Sequence, residues 1–353
     1  MRFVRFIGIA LSLGLTLSTA QAARAPAAMP PQFASLQTTT DWINAYRAMR
    51  YENDAAVKGA YAIRAASYHS GLKDPESAGV FVGFIAGLLA SNPGDADTLI
   101  EIMLPMRRDD QWAIVRGIAY SGLPNWKFLL RRYAARMPSW QEMIDQHIHG
   151  KLPTLERLVV KPSPTTMERM RDALSWSKTK PGKPMLEPTQ TVIDTLWGHY
   201  LASGSYAPLL RLVAFLPWAS DRDDAEKLTL GSMAKYTLAI NAGRDPALLV
   251  QLKHLRQAPE QSKDVAKELT DVIQAAETAD PGTLRKNALA SIEVLKTKGP
   301  NYKKEMSTWT KVGQGALAVG CVAAAATGHI ELGLPCVIGG GATNAAAYYM
   351  NDR

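Results

Sequence analysis

Residues 76–90 constrain the fold most, because they are almost wholly apolar and carry glycine at every fourth position, at Gly79, Gly83 and Gly87. Residues four apart share one face of an α-helix, so the three glycines leave a stripe without side chains where a second helix can approach closely. At about fifteen residues the segment is short of the roughly 20 that a membrane-spanning helix needs. The segment therefore predicts a central helix buried inside a helical protein, with a membrane span as the alternative.

Helix signals continue along the rest of the chain. Three Asp-Pro pairs have the residue order of a helix start, in which an N-cap aspartate is followed by a proline that needs no hydrogen-bond partner. These pairs are Asp74-Pro75, Asp245-Pro246 and Asp280-Pro281. Glycines suited to the left-handed position that ends a helix lie at Gly71, Gly122, Gly204 and Gly243. Alternation with period two, which is typical of strands, is not evident, so the sequence predicts an all-α fold.

Three Ser-Gly pairs separate one helical pattern from a second apolar pattern that soon meets a proline: Ser70-Gly71, Ser121-Gly122 and Ser203-Gly204. Such units are typical of stacked helical hairpins, although the unequal spacing between the pairs gives no fixed repeat. The predicted architecture is irregular stacked helical hairpins, either α-solenoid-like or a helical bundle, with an Ala/Gly-rich helical hairpin at the C terminus.

The first 22 residues have the composition of a signal peptide. Arg2 and Arg5 precede an apolar stretch at 6–17, and Ala20-Gln21-Ala22 matches a signal-peptidase site, which makes Ala23 the expected first mature residue. We therefore expect an exported protein, periplasmic or extracellular, with association to the envelope left open. The predicted organisation is a signal peptide at 1–22, a flexible leader at 23–37, an N-terminal helical region at 38–160, a Pro-rich basic connector at 161–190, a C-terminal helical region at 191–300 and the apolar hairpin at 301–353.

The C-terminal hairpin is predicted from its lack of charge, because Glu331 is the single formally charged residue between Lys311 and Asp352. Cys321 and Cys336 lie almost equally far from the predicted turn, on opposite arms, and the exported environment favours a disulfide between them. Such a bond closes a loop of about fifteen residues, worth roughly 3 kcal/mol in the chain-entropy model. The alternative is two unpaired buried thiols. The hairpin either completes the core, associates with a membrane through residues 312–350, or binds a partner.

Charge and motifs restrict the possible functions. Without Arg2 and Arg5 the chain keeps 38 basic and 32 acidic residues, a net charge of +6. The basic residues are scattered without an interleaved aromatic stripe, so we predict no nucleic-acid partner. No P-loop, GxSxG, HExxH or EF-hand pattern occurs, and the sequence predicts neither a catalytic residue nor a cofactor. The candidates for metal ligands are His147 and His149, which point apart on a helix unless the helix ends there. A polar helix end is the alternative.

The segment LWGHYLASG at 196–204 resembles an LWxxFxATG-type signature of uncharacterised exported helical proteins of proteobacteria. The resemblance covers about thirty residues and departs at Tyr200, where the signature has Phe, and at Ser203, where it has Thr. It implies helical hairpins and brings no known activity. The sequence as a whole predicts an exported, non-catalytic scaffold that binds a protein partner in the envelope. The alternatives are a protein that docks its C-terminal hairpin on a membrane and an envelope hydrolase without a recognisable motif.

Overall fold

The computed structural model of the protein describes residues 30–160, 184–221 and 224–278. Within these ranges the chain forms twelve α-helices, and its one strand-like pairing is a single parallel bridge between Leu158 and Leu186. The predicted all-α fold is confirmed. The predicted signal peptide at 1–22, the C-terminal hairpin and the disulfide between Cys321 and Cys336 lie outside the described residues.

The helices fall into an N-terminal group of seven and a C-terminal group of five. The first group comprises α1 (Leu36–Met49), α2 (Ala55–Tyr68), α3 (Gly79–Ser91), α4 (Ala96–Met103), α5 (Trp112–Tyr120), α6 (Trp126–Tyr133) and α7 (Gln141–Ile148). The second comprises α8 (Gln190–Ser203), α9 (Tyr206–Ala214), α10 (Ala225–Arg244), α11 (Pro246–Gln257) and α12 (Lys263–Thr278). None of the helices in the three described ranges is both long and apolar enough to cross a membrane.

Helix α3 is the predicted central helix, and its glycine stripe lies directly against the backbone of α8. A Cβ atom on Gly83 would overlap the carbonyl oxygen of Thr195, and one on Gly87 would overlap that of His199. The contact is mutual, because a Cβ atom on Gly198 of α8 would overlap the carbonyl oxygen of Val80. Contacts advance along both helices in the same direction, so α3 and α8 run parallel. The predicted burial and close approach are both confirmed.

One hydrophobic cluster lies on each side of this helix pair. The first gathers buried side chains from 33–148 together with Leu201 and Ala202, and the second gathers those from 155–276. Trp197 anchors α8 in the second cluster, since its side chain is buried and its indole N–H donates to the Thr237 hydroxyl at 2.9 Å. Helix α8 therefore contributes to both clusters and joins the two groups.

The flexible leader predicted for 23–37 is wrong for its last residues. Pro31–Phe33 form a 3-10 turn, and the Phe33 ring is fully buried with its centroid 5.2 Å from that of Trp42. Ser35 then caps α1, because its hydroxyl accepts the amide N–H of Thr38 at 3.1 Å. Burial of one aromatic ring and a capped helix start order a stretch whose Ala/Pro composition predicts flexibility.

The connector predicted for 161–190 also extends too far at its C-terminal end. Leu186 donates its amide N–H to the carbonyl oxygen of Arg157 at 3.2 Å. The Thr189 hydroxyl then accepts the amide N–H of Val192 at 3.2 Å and so caps α8, which begins at Gln190. These hydrogen bonds fix residues 184–190 against the helical body.

The Asp-Pro pairs give one correct and one wrong helix start. Asp245 caps α11, because its carboxylate accepts the amide N–H groups of Ala247 and Leu248. Asp74 instead accepts the amide N–H of Glu76 at 3.1 Å in a turn, and α3 begins only at Gly79, where the backbone reaches α8. The pair at 280–281 lies outside the described ranges.

Of the four glycines predicted to end helices in the left-handed conformation, two do so and two do not. Gly122 and Gly204 adopt left-handed φ values of 71° and 64°, as predicted. After α2 the left-handed residue is Ser70 (φ 64°) and not Gly71, which packs tightly against the Leu36 side chain. Gly243 lies inside α10, which continues to Arg244 and ends only where the next helix starts.

Asp194 is a buried carboxyl in the α3–α8 contact. Its side chain is completely buried, and its Cβ atom lies directly over Gly79. Neither carboxyl oxygen has a hydrogen-bond partner in the described part of the chain. Burial raises the pKa of Asp194 well above its usual range, because the charged form loses its hydration. The folded protein therefore holds this carboxyl in its protonated form at pH values where the unfolded chain releases the proton.

We expect Gly83→Ala to lower the free energy of unfolding by about 2 kcal/mol or more, because the added methyl group forces α3 and α8 apart. Urea unfolding followed by far-UV circular dichroism measures the change. Gly94→Ala is the matched control, since nothing lies within 4 Å of the added atom and the substitution removes glycine's backbone freedom. Equal midpoints for the two variants would contradict the close contact.

We expect Asp194→Asn to stabilise the protein at pH 7 by on the order of 1 kcal/mol and to have little effect near pH 4. The raised pKa means that stability is complete below the unfolded pKa of about 4 and is lost as the pH rises toward the folded pKa. Asparagine keeps the shape and removes the titration. Thermal unfolding at both pH values tests this, with the exposed Asp145→Asn as control. A gain that is the same at both pH values would refute the explanation.

Candidate functional site

A groove of about 650 Å³ lies between α5, α7 and the first turns of α8, and we call it the junction groove. One wall includes Arg116, Tyr120, Trp140, Glu142 and His147. The opposite wall includes Glu76, Leu186, Glu187, Thr191 and Thr195. Both helical groups contribute to it, so the groove exists only when the α3–α8 contact holds the two groups together.

Local interactions fix the first wall. Trp140 precedes α7 in a 3-10 turn, and its indole N–H donates to the carbonyl oxygen of Arg108 at 2.9 Å. On α5 the guanidinium carbon of Arg116 lies 4.9 Å from the centre of the Trp112 ring, a cation–π distance. Tyr120 ends α5 and packs against both hydrophobic clusters. The aromatic and basic groups of this wall therefore have defined positions.

His147 is the buried titratable group of the groove. Its side chain is almost fully buried and meets the Tyr120 ring edge-on, with the ring centres 6.3 Å apart. Neither ring nitrogen has a hydrogen-bond partner among the described residues. Burial, and secondly the positive charge of Arg116, lower the pKa of His147 to about 4. The imidazole is therefore neutral at pH 7.

The two candidate metal ligands lie in different surroundings. His147 belongs to the groove wall, whereas His149 is exposed and its Nδ1 lies 2.7 Å from the carbonyl oxygen of Asp145, to which it donates. Across the described ranges no group of three His, Cys, Asp or Glu side chains is arranged to hold a metal ion. The structure thus does not bring His147 and His149 into a common ligand set.

Carboxylates dominate the charge of the groove. Glu76, Glu142 and Glu187 are exposed, and in the described part of the chain none of them forms an ion pair with Lys or Arg. The described residues make two side-chain hydrogen bonds to these carboxylates, from Gln146 to Glu142 at 3.0 Å and from the Thr191 hydroxyl to Glu76 at 3.2 Å. Among the described residues that line the groove, Arg116 is the one Lys or Arg side chain. The groove is acidic in a chain whose net charge is +8.

Sequence reasoning identified His147 as a candidate ligand and gave no role to Arg116 or Glu187. Arg116, Glu142 and Glu187 belong to separate elements, and no local pattern links them. A carboxylate hydrogen-bonded to His147 would support the hydrolase alternative, and no such hydrogen bond occurs in the described ranges. The hydrolase therefore stays a prediction from sequence.

Comparison with known proteins found no match: no protein-family model, no curated protein and no solved structure is similar to this chain. The resemblance of residues 196–204 to an exported helical family therefore stays a prediction. The structure gives these residues physical roles in α8. Trp197 anchors the helix, Gly198 contacts α3, and Gly204 ends the helix in a left-handed conformation.

We expect His147→Gln to reduce the acid sensitivity of folding. The folded pKa of about 4 lies below the unfolded value of about 6.5, so stability is complete above pH 6.5 and is lost as the pH falls toward 4. Within this window the free energy of unfolding falls by about 1.4 kcal/mol for each unit by which the pH decreases. The unfolded state binds a proton there, whereas the folded state does not. Urea unfolding between pH 4 and 7 measures the slope.

The exposed His254→Gln is the matched control and should leave the slope as it is in the natural protein. His199 also has its pKa lowered to about 4 by burial, so His147→Gln should remove part of the slope and leave the rest. An unchanged slope in His147→Gln would show that the imidazole does not titrate as its burial requires.

Proposed function

We propose that this protein is an exported, non-catalytic scaffold of the cell envelope and that the junction groove is the site where it binds a protein partner. The observation that carries the proposal is the groove itself, which is open, acidic and built from both helical groups. The signal-peptide pattern at 1–22 supports export to the periplasm or the extracellular space.

The geometry of the groove suits the binding of a ligand. A volume of about 650 Å³ lies within the usual range of small-molecule and cofactor sites, roughly 300–1,000 Å³. The walls are attached to two helices in backbone contact, so the groove is formed before a ligand arrives and binding costs little ordering. The three carboxylates on its rim are free of Lys and Arg partners in the described ranges and are available to a ligand.

The membrane alternative depends on residues 312–350, which lie outside the described residues, and stays a prediction from their uncharged composition. Under the scaffold proposal those residues need not enter a membrane, because the groove supplies the binding surface. Salt and carbonate washes of the membrane fraction separate the two proposals.

Photocrosslinking in the native cells tests the groove as a binding site. We expect p-benzoyl-phenylalanine in place of the exposed groove residue Ser139 to form a discrete adduct with one protein. The same amino acid in place of Val250, which is 50% exposed on α11, should give no such adduct. Mass spectrometry of the purified chain should find Ala23 at its N terminus. No adduct at Ser139, or equal adducts at both positions, would overturn the proposal.

A further inference from the structure

We infer that the junction groove binds an extended, Arg- and Lys-rich peptide segment of the partner protein. The inference rests on the proposed function and adds the chemistry of the ligand. It starts from the charge of the lining, where three carboxylates face one guanidinium. The carboxylates of the groove repel acidic ligands, because like charges in an interface oppose binding. The rest of the chain is basic and attracts acidic molecules instead.

The hydrogen-bonding capacity of the groove points to a donor-rich ligand. Carboxylates only accept hydrogen bonds, and Glu76, Glu142 and Glu187 each keep acceptor capacity that the described residues do not fill. Arg116 contributes its guanidinium but already lies over the Trp112 ring. Guanidinium and ammonium groups are the side chains that supply several N–H donors and a positive charge together.

Aromatic rings in the lining suit the same ligand. Trp140 and Tyr120 both line the groove, and the indole N–H of Trp140 is held by the Arg108 carbonyl, which fixes the orientation of the ring. Cations bind over the faces of such rings, with Arg the commoner partner in proteins. Burial raises the pKa of Tyr120, so its hydroxyl stays protonated at neutral pH.

The distribution of the acids favours an extended ligand over a single small cation. Glu76 precedes α3, Glu142 lies on α7 and Glu187 lies in the segment before α8, so the charges come from three separate elements. Glu187 also acts on Glu226 of α10, whose pKa is raised by burial and then by Asp224 and Glu187 and is lowered by Lys227. A chain with several cations can set a donor against each of the three carboxylates, whereas one ammonium carries a single charge.

The backbone beside Glu187 offers a further contact to an extended peptide. Leu186 pairs with the Leu158 segment through an isolated parallel bridge, whereas the N–H and C=O of Glu187 have no backbone partner in the described ranges. Pairing of a peptide main chain with such free groups is a common recognition mode, and the side chains then supply specificity. The groove thus combines main-chain groups with acceptors for basic side chains.

Selection of peptides from a random octapeptide phage library on the full mature protein tests the inference. We expect Arg and Lys to be enriched and Asp and Glu depleted relative to the unselected library. The leading peptide is then synthesised with a fluorescein label, and its Kd is measured by fluorescence anisotropy. The double variant Glu142→Gln/Glu187→Gln should raise the Kd at least about tenfold, because two charge-assisted contacts are lost.

Glu260→Gln is the matched control, since Glu260 is exposed and lies outside the groove. It should leave the Kd unchanged, and far-UV circular dichroism should show the same helicity in all variants. Raising the NaCl concentration from 50 to 500 mM should raise the Kd of the peptide, because salt screens the charge interactions, and should leave the protein folded. Spermidine and arginine amide, the small-cation probes, should compete only at far higher concentration than the unlabelled peptide.

Four results would overturn the inference: no enriched peptide, enrichment of acidic or uncharged sequences, equal binding by the double variant and Glu260→Gln, or equal competition by spermidine. The adduct at Ser139 is an independent readout of the proposed function. A specific adduct together with any of these four results would leave the scaffold standing and remove the basic peptide as its ligand.

Discussion

The backbone contact between α3 and α8 is the constraint on which the rest of the structure depends. Three glycines of α3 and Gly198 of α8 let two parallel helices meet backbone against backbone. Packing at this distance gains dispersion energy and weak Cα–H···O contacts, both of which fall steeply with separation. The contact is therefore either formed or lost as a unit. Because α3 packs in the first hydrophobic cluster and α8 contributes to both, the contact fixes the spacing of the two helical groups.

Buried polar groups concentrate around this junction. Asp194 lies inside the helix contact, His199 contributes backbone to it, and His147 lies in the wall of the neighbouring groove. Burial shifts the pKa of each in the direction that favours the neutral form, so the carboxyl lowers stability as the pH rises above about 4 and the imidazoles lower it as the pH falls below about 6.5. Buried polar groups without partners are uncommon in native proteins, and they are frequent at sites that bind or react.

The described lining of the groove is acidic, although the chain as a whole is basic. The chain is basic overall, yet the lining gathers three carboxylates and two aromatic rings around one arginine. Non-specific attraction of anions by the remaining surface and selective attraction of cations by the groove are different interactions, and they respond to different partners. Under the proposed function, this distribution lets the scaffold discriminate between partners by charge as well as by shape.

Local patterns in the sequence determined the helices, and tertiary structure decided which faces meet. The glycine spacing in α3, the cap at Asp245 and the left-handed Gly204 were predictable because each depends on residues within one or two turns. The turn at Asp74 and the ordered Phe33 were not, since contacts with α8 and Trp42 override the local signals. The identity of α8 as the partner of α3, and with it the groove, depends on residues more than a hundred positions apart. The hydrogen bonds of a helix join residues four positions apart, so local sequence is enough to predict them. The apolar face of a helix is buried only against another part of the folded chain, which local sequence does not identify.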